Sequence, residues 1–149
     1  MTWQTEITES VRVLIGDMDE TQVYSDNRIE RTIVIGASQV IQEVDFSTIY
    51  TVDISLQNIS PDPTTISPKD SNFINLISLK SAILIYTGEL RKYALTSAIV
   101  TDGPSTINMG SVYSNMKASL ANLQFQYEKA KMLYQSGQIG QAVTTPSKY

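Results

Sequence analysis

The chain has 149 residues, of which 42% are hydrophobic and 17% charged, enough for one globular domain with its own apolar core. It has no cysteine and no histidine, which excludes disulfides, thiolate zinc sites, cysteine nucleophiles, histidine triads and imidazole metal ligands. The 11 basic and 15 acidic residues leave a net charge of −4, so no basic excess is available to neutralise the phosphates of a nucleic acid.

The sequence carries no sign of export or membrane insertion. Its first ten residues include Glu6 and Glu9 and lack the basic start and apolar run of a secretory signal. The longest apolar stretch, 73–86, is interrupted by Asn75, Ser78, Lys80 and Ser81, which by this reasoning excludes a membrane span. Together with the lack of cysteine, these features predict folding in a reducing cytoplasm.

The first predicted helix runs from about Thr5 to Ile15. Gly16 follows it at the position where a left-handed residue commonly ends a helix. The segment 17–24 is rich in Asp, Glu and Thr and is expected to form a solvated loop. The apolar residues of the helix recur on one stripe: Ile7, Val11 and Leu14.

A second helix is predicted to begin at Ser25-Asp26-Asn27, three good capping residues in a row. Glu30 stands three residues after Asn27, as a capping-box partner would. The helix should extend to about Val44, because its apolar residues build a single face: Ile29, Ile33, Ala37, Val40, Ile41 and Val44.

The hydrophobic period then changes from helical to alternating. Tyr50, Val52, Ile54 and Leu56 alternate with polar residues, which predicts a strand with one buried face, ended by the turn-rich run 60–63.

A third helix is predicted from Ser67 to about Lys92. Ser67 would cap it, Pro68 would occupy the first helical position and Asp70 the third, where a carboxylate suits the helix dipole. Its apolar residues cover more than one side, so this helix should lie at the centre of the core: Phe73, Ile74, Leu76, Ile77, Leu79, Ile83, Leu84, Ile85 and Tyr86.

Two short β-prone pieces, 97–100 and 106–109, flank a loop with an Asp102-Gly103 pair and predict a small hairpin. The last helix should run from about Ser111 to Gln135. It carries a continuous apolar seam: Val112, Met116, Leu120, Leu123, Tyr127, Ala130 and Tyr134.

The final segment, 138–149, has almost no charge and no hydrophobic period, so we expect it not to fold unaided. The sequence therefore predicts a helical domain over 1–137 and an extended carboxy-terminal arm over 138–149. The predicted fold is mainly α, a bundle of four helices with one short strand segment and a small β-hairpin.

The candidate metal and phosphate sites fail on spacing. Asp17-Met18-Asp19-Glu20 suggests a calcium loop, but Gln22 stands where an EF-hand needs glycine and Arg28 where it needs glutamate. Gly16 and Gly36 stand alone rather than in a phosphate-binding loop. No metal or cofactor is expected.

The remaining candidates for chemistry are carboxylates and tyrosines. The pairs Asp17 with Asp19 and Asp53 with Asp62 are interpreted as surface charges on a predicted loop and a solvent face. The tyrosines on the predicted helices are expected to pack with their hydroxyls at the rim rather than to stack on bases: Tyr86, Tyr113, Tyr127 and Tyr134. No catalytic residue is predicted, and a carboxylate-tyrosine enzyme is the weakest alternative.

Several short motifs follow one another in a fixed order along most of the chain: Val11 to Asp17, Tyr24 to Glu30, Tyr50 to Leu56, Ile59 to Asp62, Asp70 with Phe73 to Leu76 and Lys80 to Ala82, Asp102 to Ser105, and Tyr113 with Tyr127-Glu128. This ordered set resembles the head-to-tail connector, or adaptor, proteins of tailed bacteriophages.

The resemblance implies a non-enzymatic, adaptor-type helical protein of the virion neck, made in the host cytoplasm. It implies a homo-oligomeric ring, expected to be a dodecamer, that lies beneath the portal protein, extends the DNA channel and docks a stopper or tail protein. Twelve copies at −4 would carry roughly 48 negative charges, so DNA would pass through without specific binding.

The resemblance also suggests which residues make the contacts. The carboxy-terminal arm is expected to bind the portal through its few apolar residues: Ile139, Val143, Pro146 and Tyr149. The loop of Asp102, Gly103 and Pro104 is expected to dock the next ring, and the loop 60–65 is a second candidate.

Two other readings stay open. The chain could be another neck component, a stopper or tail-completion protein, or a cytoplasmic helical scaffold or chaperone that binds one protein partner. Assembly separates them, because an adaptor should join a portal with ring stoichiometry and a scaffold should ignore it.

Overall fold

The structure is a computed structural model that describes the backbone of residues 1–99 and 106–143 and the side chains of 1–96 and 110–137. Its elements are α1 (Trp3–Ile15), α2 (Asp26–Glu43), β1 (Thr51–Asp53), β2 (Asn58–Ser60), α3 (Ser71–Ile99) and α4 (Thr106–Val143). The described part is thus mainly helical with a small two-stranded antiparallel hairpin, which confirms the predicted fold class.

Helix α1 ends as predicted but starts earlier. Gly16 adopts a left-handed φ of 72° at the C-cap, and its N–H and that of Asp17 bond carbonyls of the last turn. The helix begins at Trp3 rather than Thr5, because the Trp3 ring is buried and its backbone N–H donates to Asp62 Oδ2 at 3.0 Å. Because Trp3 and Asp62 are far apart in sequence, a local sequence pattern does not predict this contact.

Helix α2 is capped by Ser25, whose hydroxyl accepts the Arg28 N–H at 3.3 Å. The capping box predicted between Asn27 and Glu30 is therefore wrong, since Asn27 already lies inside the first turn. The predicted apolar face is confirmed, with Ile33 and Val40 fully buried.

The predicted strand 50–56 is shorter than expected. Its chain reverses after Asp53, whose side chain accepts the Leu56 N–H at 2.9 Å, an Asx-type turn that competes with strand extension. β1 then pairs with β2, placing Val52 opposite Ile59. The predicted buried face fails at its end, because Ile54 and Leu56 are 56% and 77% exposed.

Helix α3 begins at Ser71, three residues after the predicted first helical residue, Pro68. The cap is Asp70, whose Oδ1 accepts the Phe73 N–H at 3.0 Å, so Ser67 and Pro68 lie in the preceding loop. The Tyr50 hydroxyl donates to the other Asp70 oxygen at 2.8 Å and ties this cap to the hairpin.

The hairpin predicted over 97–109 is wrong in the part that the structure describes. Residues 97–99 continue α3 and residues 106–109 open α4, while 100–105 lie outside the described residues. Helix propagation adds one bond per residue once a long helix exists, and that gain outweighs the weak β propensity of these short pieces.

Helix α3 is the central element, as its apolar composition predicted. It packs against α1, α2 and α4, and its Phe73, Ile77 and Ala82 are fully buried. By length and composition alone, Ser71–Thr96 could cross a membrane, with a mean hydropathy of 1.3. The polar residues within this helix therefore do not exclude a membrane span. Half of its apolar 18-residue window is buried in the bundle, however, and the core helix of a soluble protein meets the same criterion.

Helix α4 runs through 38 residues to Val143, eight beyond the predicted end at Gln135. The first six residues of the predicted extended arm, 138–143, are therefore helical, because α4 is already formed when the chain reaches them. Residues 144–149 lie outside the described part of the chain.

Candidate protein-binding surface

One side of α4 holds this helix against the bundle. Leu123 and Tyr127 are buried, and Ala130 and Tyr134 pack partly buried against the same core. The Tyr134 ring stacks on Phe46 with 5.2 Å between centroids. The spacings of four, three and four place these α4 residues on one helical face, so the carboxy-terminal part of the predicted seam is confirmed.

The amino-terminal part of the seam is less covered. Met116 and Leu120 are half-buried, and Val112 is 43% exposed. Here α4 packs on α3, and within the described residues its backbone makes no close contact with α1 or α2. The α3–α4 pair therefore extends beyond the four-helix core.

A polar network fixes the rotation of α4 about its own axis. The Tyr127 hydroxyl donates to Glu43 Oε2 at 2.7 Å, and Lys80 Nζ donates to Glu43 Oε1 at 2.6 Å. Lys131 Nζ lies 3.5 Å from Glu43 Oε2 and 2.9 Å from Glu128 Oε2. Both ammonium groups also lie over the Tyr127 ring, at 4.9 and 5.4 Å from its centre. One carboxylate at the end of α2 thus receives groups from α3 and α4.

The pKa shifts in this network suit a structural role. Burial alone would raise the pKa of Glu43, but hydrogen bonds from Lys80 and Tyr127 outweigh burial and lower it. Burial first, and then the hydrogen bond to Glu43, raise the pKa of the Tyr127 hydroxyl. The hydrogen bond to Glu128 is the main cause of the raised pKa of Lys131. Glu43 is therefore a weaker base, and Tyr127 a weaker acid, than the free side chains.

The opposite side of α4 faces away from α3 and carries large apolar residues. Phe125 and Met132 are 67% and 66% exposed and stand seven residues apart, so they lie along one line of the helix. Lys129, also exposed, lies between them, four residues after Phe125 and three before Met132. We call these three residues the α4 outer face.

A half-open groove of about 830 Å³ lies beside this face. Its α4 wall includes Ala130, Leu133, Tyr134 and Gly137. The rest of the lining comes from residues 66–72, which precede and open α3, and from Ser47, Thr48, Asn75 and Leu76. Leu133 is 64% exposed. The carboxy-terminal half of α4 thus borders two neighbouring open surfaces, the apolar α4 outer face and a groove with mixed polar and apolar walls.

The residues predicted to make contacts fall largely outside the described side chains. Asp102 to Pro104 belong to the segment between α3 and α4 and lie outside the described residues, as do Pro146 and Tyr149. Ile139 and Val143 are part of α4, so the extended conformation predicted for them is wrong. Their roles in binding the portal or the next ring stay predictions.

In the second predicted docking loop, 60–65, some polar groups are already hydrogen-bonded within the chain. Asp62 Oδ1 accepts the Thr64 N–H at 2.9 Å, and Asp62 Oδ2 accepts the Trp3 N–H. Pro63 is buried, while Ser60 and Thr65 stay exposed. This loop anchors the start of α1, and its use as a docking site stays a prediction.

Of the four carboxylates interpreted as surface charges, Asp17 is buried and both Asp53 and Asp62 are half-buried. Asp17 is 6% exposed, and its Oδ2 lies 2.7 Å from Nη1 of Arg12, whose side chain is 1% exposed. Asp62 is half-buried by the contacts described above. Sequence reading missed both because their partners, Arg12 on one helix face and Trp3 across the fold, are set by tertiary packing.

Among the four tyrosines expected to pack with rim hydroxyls, Tyr127 and Tyr134 pack as predicted. The Tyr127 hydroxyl bonds Glu43, and the Tyr86 hydroxyl donates to the Ile15 carbonyl at 3.4 Å. Tyr113 is 38% exposed on the extended part of α4.

Sequence reading missed the α4 outer face because it followed only the apolar seam of that helix. The sequence did contain a signal for this face. Phe125 and Met132 are large apolar residues that fall out of phase with the seam, so a helix with one buried stripe does not bury them in its own bundle.

Within the described residues, no three acidic side chains meet in a way that could hold a metal ion. Comparisons with protein-family models, with curated proteins and with solved structures found no match to this chain. The site is thus defined by its geometry: an apolar, cation-bearing helix face held in a fixed orientation, which suits binding to another protein.

Proposed function

We propose that this chain is a structural protein of a tailed-bacteriophage virion, a head-to-tail adaptor that forms a ring beneath the portal, extends the DNA channel and docks the stopper or tail. The class of protein rests on the ordered motifs that resemble that family. The structural observation that supports the proposal is the α4 outer face. Phe125 and Met132 are about two-thirds exposed there, on a helix whose other side is packed against the bundle.

The shape of the α3–α4 pair supports a role between two layers of an assembly. At 1.5 Å per residue, the 29 residues of α3 span about 44 Å and the 38 residues of α4 about 57 Å. The shorter α1 and α2 cover only part of that length. A subunit built this way can anchor its core in one ring and present its long helices to the next.

The charge of the chain suits a DNA channel. A net charge of −4 per copy gives a ring that repels rather than binds the phosphate backbone, so DNA can move through it without sticking.

A helical scaffold that binds one partner is the second candidate, and the groove beside α4 favours it. A cleft of about 830 Å³ with mixed polar and apolar walls is large enough for a short peptide segment. Such a protein would bind its partner in a small fixed ratio without forming a ring.

The test uses the full chain and the purified portal ring of the same phage. We expect light scattering and negative-stain microscopy to show a complex with the chain arranged around the portal axis. A full chain that stays unbound at concentrations well above those in an infected cell would reject the adaptor function. A small complex without rotational symmetry would favour the scaffold.

Two truncations test the predicted portal-binding segment separately. One ends at Val143 and removes only 144–149, and the other ends at Gly137 and also removes the last helical turns of α4. We expect both to keep a folded bundle by circular dichroism and to lose portal binding. Undiminished binding of the shorter chain would show that the segment 138–149 has no role in attachment.

A further inference from the structure

The two halves of the chain carry opposite net charge. Residues 1–70 contain twelve acidic and four basic residues, a net charge of −8, and residues 71–149 contain three acidic and seven basic residues, a net charge of +4. In the described residues, α1 packs on α2 and α3, whereas α4 packs on α3 and does not approach α1. In the described residues, α1 and α4 therefore make no close backbone contact, and the acidic half meets α4 through the Glu43 side chain of α2.

The acidic side has an exposed surface with apolar residues among its charges. Val13, Met18 and Val23 are 63%, 57% and 76% exposed, in the last turns of α1 and in the loop that follows. Exposed carboxylates lie on the same segment, and in the described structure none of them makes an ion pair. We call this surface the acidic loop face: Glu9, Val13, Met18, Asp19, Glu20 and Val23.

The buried side chain of Arg12 bonds both ends of this loop and fixes its conformation. Arg12 Nη1 pairs with Asp17 at the start of the loop, and Nη2 donates to the Tyr24 carbonyl at its end at 3.0 Å and also pairs with Asp26. Asp17 Oδ1 in turn accepts the Val23 N–H at 2.8 Å. An exposed loop fixed at both ends loses little conformational entropy when a partner binds it.

The α4 outer face is the matching basic surface. It combines two exposed apolar side chains, Phe125 and Met132, with Lys129 between them. Among the described residues, neither Lys129 nor the exposed Lys117 on the same helix forms an ion pair, unlike Lys131, which the Glu43 network uses. Both surfaces therefore have an apolar part and unneutralised charge, of opposite sign.

We propose that the acidic loop face of one copy binds the α4 outer face of a second copy. The two surfaces share no residue, so the contact is heterologous, and its repetition gives a closed ring or an open filament rather than a two-fold dimer. This inference rests on the proposed function, because it names the surfaces by which the adaptor ring would form. Charge complementarity selects a copy of the chain as partner, since each molecule carries both halves of the interface.

The test exploits the lack of native cysteine, which leaves no background for thiol crosslinking. Met18→Cys places one thiol on the acidic loop face, and Met132→Cys places one on the α4 outer face. We expect the double variant, treated with a short bis-maleimide, to give a ladder of dimers, trimers and higher species. A mixture of the two single variants should stop at dimers that contain one of each.

Control variants make the result specific. Leu56→Cys, on the 77% exposed hairpin turn, replaces Met18→Cys in a matched pair with Met132→Cys and should give no ladder. Lys129→Glu should reduce the ladder to the level of that control, and adding Glu20→Lys should restore it. High salt should weaken crosslinking as well.

Each outcome bears on the proposal. A ladder as strong with Leu56→Cys, or Met132→Cys alone crosslinking to itself as well as to Met18→Cys, would overturn the heterologous contact. A ladder that forms while the chain ignores the portal would keep the contact and reject the adaptor function. Portal binding in rings without any ladder would keep the function and reject these surfaces.

Discussion

Removing the carboxylate of Asp17 should destabilise the whole domain. Asp17→Ala leaves the Arg12 guanidinium, 1% exposed, without the partner that lies 2.7 Å from its Nη1. It also leaves the Val23 N–H without the oxygen that accepts it at 2.8 Å. If Asp17 were a solvated loop charge, as interpreted from sequence, its replacement would change the free energy of unfolding very little.

The magnitude follows from the burial of both partners. Breaking a buried ion pair from one side costs about 3–5 kcal/mol, because the remaining charge stays desolvated. Arg12 keeps its bonds to the Tyr24 carbonyl and Asp26, so we expect about 3 kcal/mol, the lower end of that range. For a chain of this size, that corresponds to a fall in Tm of about 6–12 °C. Asp17→Asn keeps an acceptor for Val23 and should cost less.

The assay is urea unfolding followed by circular dichroism, with the midpoint falling and the slope unchanged. A double-mutant cycle with Arg12→Met isolates the pair, and the double variant should lose less than the two single variants together. A cost below about 1 kcal/mol for Asp17→Ala, with no coupling to Arg12, would refute the buried pair and with it the rigid loop.

Three further predictions concern the packing around α3. Because the folded state lowers the pKa of Glu43, this carboxylate stabilises the fold above the ordinary glutamate pKa of 4.5. That stability is lost as the pH falls through the lowered pKa of the folded state. Thermal scans should therefore show that the stability of Glu43→Gln is less sensitive to acid than that of the native chain. Asp70→Ala removes both the α3 cap and the acceptor for Tyr50, and urea titration should show a loss of about 2–3 kcal/mol, whereas a loss near zero would contradict the observed start of α3. A Cβ on Gly36 would lie 2.9 Å from Ser81 Oγ, so overpacking of about 1–3 kcal/mol opposes the gain of about 1 kcal/mol in helix propensity, and Gly36→Ala should give a net loss of up to about 2 kcal/mol. In a Ser81→Ala background the same change should instead raise Tm, and the same sign in both backgrounds would contradict the close helix contact.

The periodic parts of the fold were predictable from sequence. The stripes of α1 and α2, the cap at Gly16 and the central position of α3 were all predicted, because each depends on residues within one or two helical turns. The failures lie at boundaries. Asp70 rather than Ser67 caps α3, because the Asp70 carboxylate also accepts a hydrogen bond from the Tyr50 hydroxyl, which lies outside the helix.

The candidate site was less predictable. Phe125 and Met132 can be read from the sequence as apolar, but their exposure depends on how α4 is rotated. That rotation is fixed by the bond between Tyr127 and Glu43, two residues 84 positions apart. No local pattern reports it.

By itself, the sequence determined a mainly helical bundle without cysteine or histidine chemistry, because composition and 3.6-residue periodicity act locally and additively along the chain. Only the tertiary structure decided which charges are buried and which apolar residues are left outside. Asp17 is buried and Phe125 is exposed because of contacts between elements. The free energy of such contacts depends on distances between residues far apart in sequence, and only the folded structure fixes those distances.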